Sequence, residues 1–128
     1  MFTADLESRI RVVAPDSTII RELLNPQIPD VNITYSLAHG TIPKGKKTLL
    51  HKLRSSSEAY YILAGTGRIW VNEDIVEVGP GVLVFIPPGV AQYVENTGAS
   101  KLQYLVICDP AWASSDVEIV DGITDSKK

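Results

Sequence analysis

The sequence holds a single cysteine, Cys108, so no disulfide can close within the chain. That thiol lies in an apolar run, which predicts a buried, inert side chain rather than a nucleophile. No apolar run approaches the roughly 18–20 residues that a membrane-spanning helix requires. Residues 1–9 are polar and acidic, unlike a secretory leader. An excess of positive charge is missing too: 12 Lys and Arg stand against 15 Asp and Glu, a formal net charge of −3. The one basic cluster, Lys44, Lys46 and Lys47 around Gly45, reads as a solvated turn and not as a nucleic-acid footprint. Together these absences predict a protein of the reducing cytoplasm, with neither nucleic acid nor membrane as a partner.

What the chain does have is punctuation. Pro and Gly recur every 8–15 residues, and the segments between them are short and rich in β-branched and aromatic residues. That pattern predicts an all-β sandwich or barrel. Expected strands are 18–24, 31–38, 47–53, 59–63, 68–71, 75–78, 83–86, 91–95 and 102–108, with a short tail strand at 117–120. In the second of these, Val31, Ile33, Tyr35 and Leu37 fall on one face. The 102–108 run is apolar on both faces, as for a strand covered on two sides. The segment 18–24 could equally be a short helix capped by Asp16 or Ser17. Residues 124–128 are polar and are expected to fray. At 128 residues the chain is expected to be one domain, with a barrel core at about 30–109, an N-terminal arm at 1–29 and a tail at 110–128.

Two glycine-bounded segments concentrate chemistry-bearing side chains. The first runs from Gly45 through His51, Leu53 and Glu58 to Gly65, and the second from Gly81 through Pro87, Gly89 and Gln92 to Asn96. Alternation puts His51 and Leu53 on one face of their strand, and Glu58, Tyr60 and Ile62 on one face of the next. Gln92 approaches them only if the sheet curls.

These spacings match both motifs of the cupin family at every gap. The stretches EAYYILAG at 58–65 and FIPPGVAQY at 85–93 resemble cupin strand and turn signatures. The resemblance implies a double-stranded β-helix, the cupin jelly-roll barrel, with its ligand pocket at the centre. It also implies a divalent metal held by three histidines and a carboxylate. His51 matches the first histidine and Glu58 the carboxylate, whereas Leu53 and Gln92 replace the other two.

Leucine cannot ligate, and a neutral amide oxygen is a weaker donor than imidazole. His51, Glu58 and Gln92 could therefore hold only a labile ion (Zn, Mn, Ni or Fe), or form a metal-free polar cluster. Dioxygenase chemistry is disfavoured because the two-histidine, one-carboxylate set is broken.

His39 continues the face begun by Val31 and is expected to point into the barrel, as a core histidine or a substrate contact. Tyr60 and Tyr104 are expected pocket walls, and Arg54 at the rim either solvates a loop or meets an anion. Trp70 and Trp112 are expected in packing or at an interface, and Lys52 is expected to point outward.

Two functions follow as expectations. One is an isomerase, dehydratase or lyase acting on a small polar metabolite, with His51 and Glu58 exchanging protons and Gln92, Tyr60, Tyr104, His39 and Arg54 contacting substrate. The other is a non-catalytic small-ligand-binding or structural homodimer, paired through the N-terminal arm.

Overall fold

A computed structural model describes residues 1–120 of the chain. Eleven strands occur among them: β1 (Val12–Val13), β2 (Ile19–Leu24), β3 (Ser36–Ile42), β4 (His51–Leu53), β5 (Ser57–Ala64), β6 (Gly67–Val71), β7 (Asp74–Val78), β8 (Leu83–Ile86), β9 (Gln92–Asn96), β10 (Leu102–Asp109) and β11 (Val117–Ile119). They form two antiparallel sheets, ordered β1-β2-β3-β10-β5-β8 and β11-β4-β9-β6-β7. The sheets face each other without joining into one closed ladder, and alternate residues of each enter the space between them. Ile62, Ile69, Val94 and Leu102 are buried there. Burying a side chain of this kind contributes about 1.5–3 kcal/mol. Helix is confined to two 3-10 turns, Leu6–Ser8 and Ser114–Asp116, and no helix among the described residues is long and apolar enough to cross a membrane.

Most strands fall where the sequence places them, and two differences matter. The 31–38 strand is displaced: β3 begins only at Ser36, and it turns Ser36, Ala38 and Gly40 inward rather than the row of larger apolar residues. Small inward residues are needed there because the Tyr104 ring of β10 lies across Gly40, where a Cβ would overlap its ring atoms. The apolar row was the outer face, and Tyr35 is exposed. The 102–108 strand is likewise not covered on both sides. Tyr104, Val106 and Cys108 are buried while Ile107 is exposed, and Tyr61, Leu83 and Phe85 extend this bare apolar face onto β5 and β8. The 18–24 segment is a strand and not a helix. The arm lays β2 antiparallel against β3 of its own sheet, with β1 folded back along β2.

The tail returns as well, adding β11 to the edge of the second sheet beside β4. Strand β4 meets β9 through one residue pair, His51 opposite Gln92. The expected fraying at 124–128 lies outside the described residues.

Candidate active site

Five strands aim the site into one end of the space between the sheets. Strand β5 supplies Glu58 and Tyr60, β10 supplies Tyr104 and Cys108, β3 supplies Ser36 and Ala38, and β4 and β9 bring His51 and Gln92 from the facing sheet. His51, Glu58, Tyr60, Gln92 and Tyr104 are all buried. The curl on which their convergence depends is present.

Two hydrogen-bond chains organise these groups. In the first, the Tyr60 hydroxyl donates to Gln92 Oε1 at 3.0 Å, and Gln92 Nε2 donates to Glu58 Oε1. The amide orientation follows from its partners, because only its nitrogen can donate to a carboxylate. The other Glu58 oxygen faces the Cys108 thiol at 3.9 Å. Tyr60 and Tyr104 meet edge to face, with ring centroids 5.0 Å apart.

The second chain contains a residue whose site role the sequence did not reveal. Asp16 lies in a tight turn closed by hydrogen bonds from Ala14 N to Thr18 O and from Ser17 N to Ala14 O, with Ser17 at φ 77°. Its Oδ1 accepts from Thr18 N at 3.1 Å and its Oδ2 from Thr18 Oγ1 at 2.9 Å. Its backbone oxygen takes Leu49 N at 2.9 Å, which ties the turn to the approach of β4. Held this way, Asp16 Oδ2 stands 3.2 Å from His51 Nε2. The other ring nitrogen, Nδ1, lies 2.7 Å from the Leu49 carbonyl oxygen, which can only accept. His51 Nδ1 therefore carries a hydrogen, and Nε2 and Asp16 Oδ2 need one further proton between them. The geometry assigns a stored proton to the pair.

Burial pushes the Glu58 carboxyl up from its ordinary range, and the nearby His51 charge opposes that rise. Burial also raises the Tyr60 and Tyr104 hydroxyls well above the usual phenol range, so both remain donors. The Cys108 thiol is pushed up by burial and by Glu58, which keeps it protonated and slow to react.

Between the sheets lies a cavity of about 30 Å³, lined by Asp16, Thr18, Glu58, Tyr60, Tyr104 and Cys108 among others. His51 and Gln92 are not in its lining and stand behind Asp16, Glu58 and Tyr60. Trp112, expected in packing or at an interface, lines the cavity. Two expected contacts lie elsewhere. His39 points to the outer face of its sheet, opposite Arg21 on one side and Leu105 on the other, because the inward phase of β3 belongs to Ala38 and Gly40. Arg54 is turned onto the tail, where Nε meets Glu118 Oε1 at 3.2 Å and Nη1 donates to Ser115 O at 2.8 Å. Lys52 points outward as expected, toward the same Glu118.

The family's metal does not fit this donor set. Leu53 offers nothing, both His51 nitrogens face oxygen acceptors, and Gln92 already receives one hydrogen bond and makes another. Among the described residues no group of three or more His, Cys, Asp or Glu side chains is arranged to hold a metal ion.

Comparison with known proteins agrees with this architecture. An uncharacterized protein of Methanocaldococcus jannaschii is 39% identical over 109 residues, which cover 85% of this chain and 86% of that one. An oxalate-binding protein of Thermotoga maritima is 35% identical over 66 residues, 52% of this chain and 54% of the relative. Among solved structures, Streptomyces PAC13 with uridine superposes with a TM-score of 0.76 at 18% identity, covering 99% of this chain and 96% of that chain. A family profile described as Cupin domain matches residues 38–108. That match runs from β3 through β10, the strands that carry Glu58, Gln92 and Tyr104, and the chain belongs to the cupin family.

Proposed function

We propose that the chain is a small-molecule acid–base enzyme, a dehydratase, isomerase or lyase acting on a polar metabolite without help from a metal. The observation that carries this reading is the 3.2 Å approach of His51 Nε2 to Asp16 Oδ2 while Nδ1 faces the Leu49 carbonyl oxygen. A carboxyl group lining a cavity and holding a transferable proton is a general acid. Glu58, on another wall, sits in a different environment whose burial raises its carboxyl. Two carboxyl groups with different partners on two walls of one cavity can divide acid and base roles.

In a dehydration the ionised Glu58 removes a proton from carbon, and the Asp16–His51 pair protonates the departing hydroxyl. The C–H and C–O bonds break, a C=C bond forms and water leaves. Isomerisation and lyase chemistry share the first of these steps. Gln92 orients Glu58 from behind, and Tyr60 and Tyr104 shape the wall. One structural neighbour is described as a nucleoside dehydratase. At 18% identity that likeness speaks for the fold, and the acid–base reading rests on this chain's own residues.

The test is a metabolite screen by thermal shift, followed by NMR of the hits in heavy water. Solvent exchange, isomerisation or loss of water in wild type, abolished in Asp16→Asn and in Glu58→Gln, supports the reading. Undiminished turnover in Asp16→Asn refutes it.

The second reading is a non-catalytic ligand-binding protein. The likeness to an oxalate-binding protein supports it. Saturable stabilisation by a small acid, with no chemical change in any hit, would favour it. Either reading includes a homodimer. Because the N-terminal arm pairs with its own β3, the bare apolar face of β8, β5 and β10 is the better contact. Light scattering that shows a monomer would remove the dimer.

A further inference from the structure

The inner cavity is too small for the molecule it is meant to transform. A volume of about 30 Å³ admits one or two waters. Beside it lies a second hollow of about 530 Å³, bounded on its outer side by Ser8, Arg9, Ile10 and Val12 of the arm. The two hollows share Ile20, Glu22 and Trp112, which form the partition between them.

We propose that the outer hollow binds the body of the substrate, that Ile20, Glu22 and Trp112 form the throat admitting only its reacting end, and that the ligand is a hydroxylated ring bearing a carboxylate. This rests on the inner cavity being the reaction site. The chemistry of the hollow selects the ligand. Trp112 is tied to β3 by its backbone N–H, which donates to Ser36 Oγ at 2.9 Å. Together with Ile10, Val12 and Ile20 it offers an apolar surface for the face of a ring. Glu22 Oε1 accepts from Asn25 Nδ2 at 2.6 Å, which leaves Oε2 to accept from a ligand hydroxyl. Arg9 Nε donates to the Glu22 carbonyl oxygen at 2.8 Å, fixing the guanidinium at the rim. Its terminal nitrogens have no carboxylate within ion-pair distance among the described residues. A planar fork held in this way suits a carboxylate.

Cys108, the sole cysteine, lines the inner cavity and reports on passage through the throat. The reagent is methyl methanethiosulfonate, small and neutral, used in large excess because the buried thiol reacts slowly, so that relative rates report access; D-glucuronate is the ligand probe. Ile20→Ala should speed labelling at an unchanged melting temperature, and Ile20→Phe should slow it. Millimolar D-glucuronate should protect Cys108 in wild type, and Arg9→Ala should weaken that protection by about tenfold, the cost of one hydrogen-bonded charge contact.

Wild-type labelling rates in both Ile20 variants, no protection by D-glucuronate, or equal protection by methyl glucoside would each overturn the proposal. None of these readouts needs turnover. Protection that persists in an inactive Asp16→Asn variant upholds the binding proposal, whereas an Asp16→Asn variant that still turns over refutes only the acid–base reading.

Discussion

His51 Nε2 and Asp16 Oδ2 stand 3.2 Å apart while the other imidazole nitrogen already donates to Leu49. Asparagine at position 16 is the sharpest probe of that relationship. Its oxygen still accepts from Thr18 N, and its NH2 group can donate to a neutral His51 and to Thr18 Oγ1, so the contacts survive with one bond reversed and the stored proton does not. Asp16→Asn should leave stability within about 1 kcal/mol of wild type. It should lower turnover by about 10²–10⁴, the usual contribution of a positioned acid. Urea unfolding beside single-turnover kinetics checks both halves. Nitrogen-15 NMR of the His51 ring should show two protonated nitrogens, or one with a short bridge to Asp16, in wild type alone.

Glu58 has a raised carboxyl in the folded chain, chiefly through burial. The unfolded carboxyl releases its proton first as pH rises through about 4.3. Its stabilising contribution is thus fully present below that value and is lost as pH rises through the higher folded value. Glu58→Gln should flatten this part of the stability profile. Melting temperatures of both proteins across mildly acidic pH decide it, and parallel profiles would count against the assignment.

His39 runs the other way. Burial pushes its imidazole down, Gln103 opposes that by a hydrogen bond, and Arg21 and Lys101 deepen the depression against a contrary pull from Glu7. Its contribution is present above pH ~6.5 and is lost as pH falls through the lower folded value. His39→Gln should therefore hold stability better than wild type on mild acidification. The same melting series provides the check.

The donor set makes a metal prediction of its own. Restoring the two replaced positions, Leu53→His with Gln92→His, should create a site that nickel or zinc stabilises. The native chain should melt at the same temperature with chelator or with ion. Differential scanning fluorimetry reads both, and metal-dependent stabilisation of the native chain would overturn the argument from occupied donors.

The close approach at Gly40 can be tested by one methyl group. Gly40→Ala drives a Cβ into the Tyr104 ring. Overpacking of that kind should destabilise by about 1–3 kcal/mol. Chemical denaturation reads the loss, and an unchanged midpoint would mean that Tyr104 moves freely.

Motif spacing carried the fold because each gap fixes a strand, a turn and a facing strand. His51, Glu58 and Gln92 could be brought together from sequence for that reason. Phase was harder to read. Tyr35 and Leu37 looked like an inner row because outer faces are usually polar, yet this sheet keeps a bare apolar exterior. The same error turned His39 inward. Asp16 was visible only as a candidate cap, beside Ser17, for a helix at 18–24. No periodicity connects it to an imidazole 35 positions later in the chain, because tertiary folding alone places one turn over another strand. Trp112 was read as a packing or interface residue because nothing in its neighbourhood of Ala and Ser signals a wall.

One residue pair joins the strand of His51 to β9, whereas three pairs join it to β11. The imidazole at the heart of the chemistry is consequently moored from the far end of the polypeptide. Trimming the protein before Val117, as if its last stretch were dispensable, would cut that mooring and blur the proton donor without touching a single motif residue.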